Sequence, residues 1–439
     1  MANHTGGKEI GMKKSKKNEH RMTRRSFLKK TGAVGAGVLG ASLFDAAGTP
    51  FVFAQTKEPI KVAYLDVLSG IFAGQGVAQI KGVRVAEKHI NAQGGIMGRP
   101  LKVFYEDTAG KVQDATRIAK RLILEEGVIA IHGETTTGVT IALCKVCKEH
   151  GIIHMDYEVD GTSVYAAMHK LAFRLGNDGP TQVRGLAWLV LNKFPEVKKW
   201  GALVPDYAWG HDCFKDLQEA LAKAPQKMEV KSYVHPFGCA DFSSYILQIQ
   251  EFKPDVLVNF TWSGDFVTFL RQQKPYKLYQ KMIGLNFGTP ITVCVALGND
   301  MEPMWTGLDE GHPSLPPGKK FNDMYRKDTG EWVLEDTVAQ YYDSLFILKK
   351  AIEMANSSKP EDIAKKIEGL EYEGYAGWIK IRPTSHLPLK KAYHVGYLAP
   401  MSGWPYWGVK DIVAIPYDKV MVTDQEAKEK WGLPIPYTS

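Results

Sequence analysis

The feature that most limits the fold is a rhythm. From residue 58 onward, short β-like runs alternate with longer amphipathic stretches, and after about residue 180 the alternation starts afresh. Ile60–Leu65, Leu101–Tyr105, Val128–His132 and Ile152–Met155 read as strands. Val77–Ile90, Asp114–Glu126 and Gly138–Glu149 between them carry apolar residues at helical spacing. In the first of these, Val77, Ile80, Val83, Ala86 and Ile90 share a face, and Asn91-Ala92-Gln93-Gly94-Gly95 supplies the stop. The second round reads Gln182–Asn192 helix, Trp200–Val204 strand, His211–Ala222 helix and Glu229–Val234 strand. It continues with Phe242–Phe252 helix, Asp255–Phe260 strand, Phe266–Gln273 helix and Met282–Leu285 strand. Such alternation implies right-handed βαβ units and parallel sheets. Two rounds imply two α/β lobes, joined near Phe173–Pro180 where Gly176, Gly179 and Pro180 break the pattern.

Past the second round the signal changes. Asp309–Lys320 is rich in Pro and Gly and reads as a surface loop. Glu335–Ala355 is a strong helix, with Val338, Tyr341, Leu345, Leu348, Ile352 and Ala355 in phase, and Ile363–Ile367 is a short one. From Trp378 the chain turns to β-like and irregular segments.

The amino terminus is of a different kind. Thr23-Arg24-Arg25-Ser26-Phe27-Leu28-Lys29-Lys30 precedes a mild apolar run, Gly32 to Leu43, too short for a stable membrane span, and Val52-Phe53-Ala54 offers a cleavage site. Residues 1–54 resemble a twin-arginine export leader, which predicts a protein working in the periplasm. They hold ten Lys/Arg against three Asp/Glu. The whole chain holds 55 against 48, so the remainder carries 45 of each sign. The basicity belongs to the leader, and neither nucleic acid nor an anionic membrane is expected as a partner.

Enzyme chemistry finds no support. Five cysteines (Cys144, Cys147, Cys213, Cys239, Cys294) are too sparse and odd in number for a disulfide framework. Cys144-x-x-Cys147 falls inside a helix, where a reactive thiol is out of place, and no second pair completes a zinc cage. Buried packing is the expected role. There is no haem pair, iron–sulfur spacing or GxGxxG after a strand, no Ser/His/Asp set stands out, and His132, His154 and His211 lack ligand spacing. No catalytic residue, cofactor or metal is expected.

The motifs come in a telling order. Ser69-Gly70-Ile71-Phe72-Ala73-Gly74-Gln75-Gly76, Asn91-Ala92-Gln93-Gly94-Gly95-Ile96-Met97-Gly98-Arg99-Pro100 and Glu106-Asp107-Thr108 are followed by Asp206-Tyr207-Ala208-Trp209-Gly210. Asp241-Phe242-Ser243-Ser244, Pro254-Asp255-Val256-Leu257-Val258 and Tyr341-Tyr342-Asp343 complete the series. Nearly all of the chain after the leader thereby resembles the leucine/isoleucine/valine-binding family of periplasmic (type I) solute-binding proteins of ABC importers. The resemblance implies two Rossmann-like lobes with central parallel sheets, joined by a three-crossing hinge near residues 175, 288 and 372. Lobe one would be 58–175 plus 288–372, and lobe two 176–287 plus 373–439. It further implies a monomer that captures an amino acid, branched-chain or bulkier and aromatic, and delivers it to an inner-membrane permease. The same fold also serves for an aromatic or aliphatic carboxylate, an amide or urea, and for a ligand sensor.

Ligand residues are sought at the carboxyl ends of strands, facing helix N-termini. Thr136 and Thr137 lie there, where N–H groups and the helix dipole favour an anion. In the family, small hydroxyl residues at this place bind the α-carboxylate; the alternative is a helix cap. Asp156 and Tyr157 match a second ligand-contacting segment, against the alternative of a turn aspartate beside a packed tyrosine. Asp265 matches an ammonium partner or is an N-cap. Trp209 matches a ligand-stacking position, and Phe72 forms a pocket wall or packs in the core.

Overall fold

A computed structural model describes residues 57–158, 161–288, 291–434 and 436–437. The leader read from residues 1–54 lies outside them. The first sheet holds β1 (Ile60–Asp66), β2 (Leu101–Asp107), β3 (Ala130–His132), β4 (Ile153–Asp156) and β5 (Ala172–Arg174). All its pairings are parallel, and its order is β2-β1-β3-β4-β5. Five parallel strands of the second sheet follow: β6 (Lys199–Pro205), β7 (Glu229–His235), β8 (Val256–Asn259), β9 (Ile283–Asn286) and β10 (Trp305–Leu308). A small antiparallel sheet contains β11 (Glu371–Gly374), β12 (Gly377–Ile381) and β13 (Pro388–Leu389). The chain then adds β14 (Ala392–Ala399) and β15 (Gly408–Pro416) to the second sheet, whose order is β15-β14-β10-β9-β8-β6-β7. Both parallel halves share one topology, reversing direction between β1 and β3 and between β6 and β8. Those reversals open the crevices in which such sheets take ligands.

The apolar runs explain the layers. Val62 and Tyr64 point into a core shared with the helices Ala73–Ala92 and Thr337–Ala355, while Ala63 and Leu65 point into one shared with Val112–Arg121 and Thr137–His150. A strand covered on both faces must be apolar at consecutive positions, as β1 is. Helix ends follow local chemistry. Gly151, left-handed at φ 67°, ends Thr137–His150. Asp178 accepts from Thr181 N at 2.8 Å and Pro180 occupies the first turn of Gly179–Lys193. Cys144 and Cys147 are buried in the Thr137–His150 helix, Cys144 Sγ lying 3.2 Å from His154 Nδ1.

Among the described residues, three segments connect the lobes ahead of the tail. The first runs through Leu175–Asp178. The second follows Leu308, not residue 288, because β10 pairs with β9 and β14. The third passes Lys390, not residue 372, because Ile379 and Ile381 of β12 still pack in the first-lobe core. The tail also departs from the expected division: Val422, Ala427 and Leu433 pack with Cys144, Val164 and Tyr165. Asp309–Lys320 is no surface loop. Asp309, Glu310 and His312 are buried, and Pro316–Thr329 is helix. Its Pro and Gly mark a crossing and a helix start beneath other elements.

Candidate functional site

A cavity of about 110 Å³ lies where the two crevices face each other. On the first-lobe side the turn after β3 is made by Gly133 at φ 100°, where a Cβ would stand 2.1 Å from the Leu65 carbonyl oxygen. Beyond it Thr135 gives N–H and hydroxyl to Asp66 Oδ1 at 3.1 and 2.6 Å. Thr136 gives both to Glu134 Oε1, at 3.0 and 2.9 Å. Burial raises Glu134 to about 8, the Asp66 charge adding to it. Burial also raises Asp66, to about 6 against the pull of its hydrogen bonds. Glu158, after β4, receives Gln75 Nε2 at 2.9 Å and Gln79 Nε2. Glu335, Asp336 and Thr337 close this wall at the start of the Thr337–Ala355 helix.

The second lobe supplies rings. Tyr207 and Trp209 follow β6, Phe260, Thr261, Trp262 and Ser263 follow β8, and Asn286 and Phe287 end β9. Trp209 Nε1 donates to the Phe260 carbonyl at 3.2 Å and Trp262 Nε1 to the Tyr207 hydroxyl at 2.8 Å, so both indoles are fixed with their N–H groups spent. Trp209 meets Phe287 edge to face at 5.4 Å. Gln182, on the Gly179–Lys193 helix, also lines the cavity.

At the back, Asp309 ties the three crossings together. Its Oδ1 accepts from Asn177 Nδ2 at 2.5 Å and stands 3.5 Å from Lys390 Nζ. Asp336 Oδ2 accepts from Asp309 N at 3.2 Å. Glu335 receives the N–H and hydroxyl of Thr292 across the lobes. Burial pushes Glu335 up to about 7, and pushes Asp336 well above the carboxylate range, with the Asp309 and Glu335 charges adding to it.

The residues singled out in the sequence are divided by this geometry. Thr137 and Trp209 line the cavity. Thr136 stands beside Thr137 with its donors committed to Glu134. Asp156 is turned away: buried, it holds Arg174 Nη1 at 2.6 Å and accepts from the Tyr341 hydroxyl at 2.8 Å. Burial alone would raise its pKa, but the Arg174 guanidinium and its other partners leave it below the ordinary carboxylate value. Tyr157 packs in the first-lobe core, 6.2 Å from the Tyr341 ring. Asp265 accepts from Gly238 N at 2.9 Å and lines a separate depression with Ile71 and Arg271. Phe72 is at the cleft edge, stacked on Phe237 at 3.9 Å and 4.8 Å from Trp262. The expectation that Asp156, Tyr157 and Asp265 share the cavity is therefore corrected, because arginine, core packing and a backbone N–H claim them.

Sequence reading missed Glu158, Gln182, Asp309, Glu335 and Asp336. One signal was available: Glu335-Asp336-Thr337 puts two carboxylates directly before a long helix. Asp309 follows the four-residue β10, too short to announce a strand end.

The family described as "Periplasmic binding protein" matches residues 59–403. The chain belongs to the periplasmic binding protein family. Members of this family are periplasmic substrate-binding proteins of ABC importers, and this binding protein has their type I fold, two α/β lobes with parallel central sheets. It is 28% identical over 348 residues to Leu/Ile/Val-binding protein homolog 8 of Brucella abortus (strain 2308), covering 76% of this chain and 86% of that protein. Among solved structures, it is similar to an amino acid ABC transporter substrate-binding protein from Pseudomonas fluorescens Pf-5. The TM-score is 0.72, with 21% identity, over 81% of this chain and 96% of that one. It is also similar to a solute-binding protein of an ABC transporter from Rhodopseudomonas palustris BisB5 in complex with 3,4-dihydroxybenzoic acid. There the TM-score is 0.71, with 18% identity, over 82% and 98% of the two chains.

Proposed function

We propose that this binding protein is the periplasmic capture component of an ABC importer. It takes one small amino-bearing solute, an amino acid or a related amine, by closing two lobes over the cavity, and presents it unchanged to an inner-membrane permease. It acts as a monomer, exported by its leader. The observation that carries the reading is the meeting of two strand-order reversals on one cavity, with acids on one wall and aromatic rings on the other. A cavity lined by both lobes binds its solute fully only when they are together, so binding selects the closed form.

The ring wall also favours a second reading, an aromatic acid, the class of solute named for the Rhodopseudomonas palustris structure. Calorimetry with amino acids, amines and aromatic acids separates the two. One-to-one binding of an amino-bearing solute, weakened at least tenfold by Trp209→Ala, is the expected result. Binding of aromatic acids alone favours the second reading, and binding indifferent to Trp209→Ala moves the site elsewhere.

A further inference from the structure

We infer that the captured solute is a small organic cation, a primary or quaternary amine on an apolar or aromatic body, carrying no carboxylate. The inference rests on the capture reading above and narrows it.

The lining is one-sided in its ionisable groups. Glu158, Asp309, Glu335 and Asp336 reach it, and among the described residues no lysine or arginine does. Lys390 Nζ stands 3.5 Å behind Asp309 Oδ1. A solute carboxylate would enter a closed space already holding several acids, and a buried charge without a partner is costly. An ammonium finds partners on arrival.

Hydrogen-bond capacity is lopsided in the same sense. Thr135 and Thr136 spend their N–H and hydroxyl groups on Asp66 and Glu134. Both indole N–H groups are bonded to the protein. Asn286 Nδ2 points to the carbonyls of Asn259 and Thr261, at 3.2 and 3.4 Å. An ionised carboxylate offers acceptors only, and an ammonium brings donors.

Helix N-termini at the cavity would ordinarily invite an anion. Here the chain fills those places itself. Glu134 takes the Thr136 N–H before Thr137–His150, and Asp336 precedes Thr337–Ala355. The indoles of Trp209 and Trp262, held through their N–H edges, are set to receive a cation or an aromatic body.

Three probes of one shape test this in the full chain: 2-phenylethylamine, phenylalanine (the same body with an added carboxylate) and 3-phenylpropionate (the carboxylate without the amine). Isoamylamine, leucine and choline extend the set to aliphatic and quaternary forms. Calorimetry should show at least one amine or choline binding tenfold or more tighter than its carboxylate-bearing counterpart, or than leucine for choline, and no binding of 3-phenylpropionate. Binding should release protons, seen as a heat that changes with the buffer's ionisation enthalpy, because a cation holds Glu335 and Asp336 ionised. Glu335→Gln should weaken the amine at least tenfold and reduce the proton release, with an unchanged melting temperature. Tighter binding of phenylalanine or leucine than of the matching amine overturns the inference and leaves capture of an amino-bearing solute standing. Binding of 3-phenylpropionate alone, or of no probe with an amine, overturns both.

Discussion

Arg174 and Asp156 stand opposite each other in the register of β5 and β4, and their ion pair at 2.6 Å is sealed in the first lobe. A carboxylate after a strand is ambiguous in sequence, because ligand contact and burial against an arginine use the same residue at the same place. Arg174, eighteen positions on, decides it, and nothing local marks that pairing. Removing one partner of such a pair leaves the other charged and dry. Asp156→Ala should lower unfolding free energy by about 3–5 kcal/mol in urea titrations, with solute affinity in the folded fraction changed less than threefold. Intact stability with lost affinity would return Asp156 to the ligand. Trp209 was marked instead by the family resemblance of Asp206-Tyr207-Ala208-Trp209-Gly210, and it lines the cavity. Gln182 was not legible, since nothing along the Gly179–Lys193 helix marks the position that lines the cavity.

Between elements, several contacts span the lobes at the cleft edge. Phe72, opening the Ala73–Ala92 helix, stacks on Phe237 with the rings 8° from parallel. Ser263 Oγ donates to the Ile71 carbonyl at 3.1 Å, and Gly264 lets that loop close in, since a Cβ there would stand 2.9 Å from the same oxygen. Thr292 reaches Glu335. These contacts belong to the lobes-together form, so each biases the equilibrium on which binding draws. An aromatic pair contributes about 0.5–1.5 kcal/mol beyond buried area. Phe72→Ala should therefore weaken solute binding about three- to tenfold, mainly through faster dissociation in stopped-flow fluorescence. An unchanged rate would make Phe72 a bystander. Long helices such as Thr337–Ala355 were readable because five turns repeat one apolar face. β5 and the helix Ile291–Leu297 were not, being too short to establish a period.

For the whole molecule, the two-round rhythm carried the architecture: parallel sheets and two lobes follow from alternation alone. The crossings did not follow. Their positions depend on β10 pairing with β9 and β14, and on β12 packing against the first-lobe core, which are long-range choices invisible to a local pattern. The hinge is chemically unusual for the same reason. Asn177, Asp309 and Lys390, one from each crossing, meet in the fold though far apart in sequence. Because Asp309 also lines the cavity, a solute there would touch the joint about which the proposed closure turns. Small-angle X-ray scattering of the protein, empty and saturated with the tightest-binding probe, tests the central claim of closure on one solute most directly. A smaller radius of gyration on binding, saturating at one solute per chain, is the predicted result. An unchanged radius at saturation would contradict it.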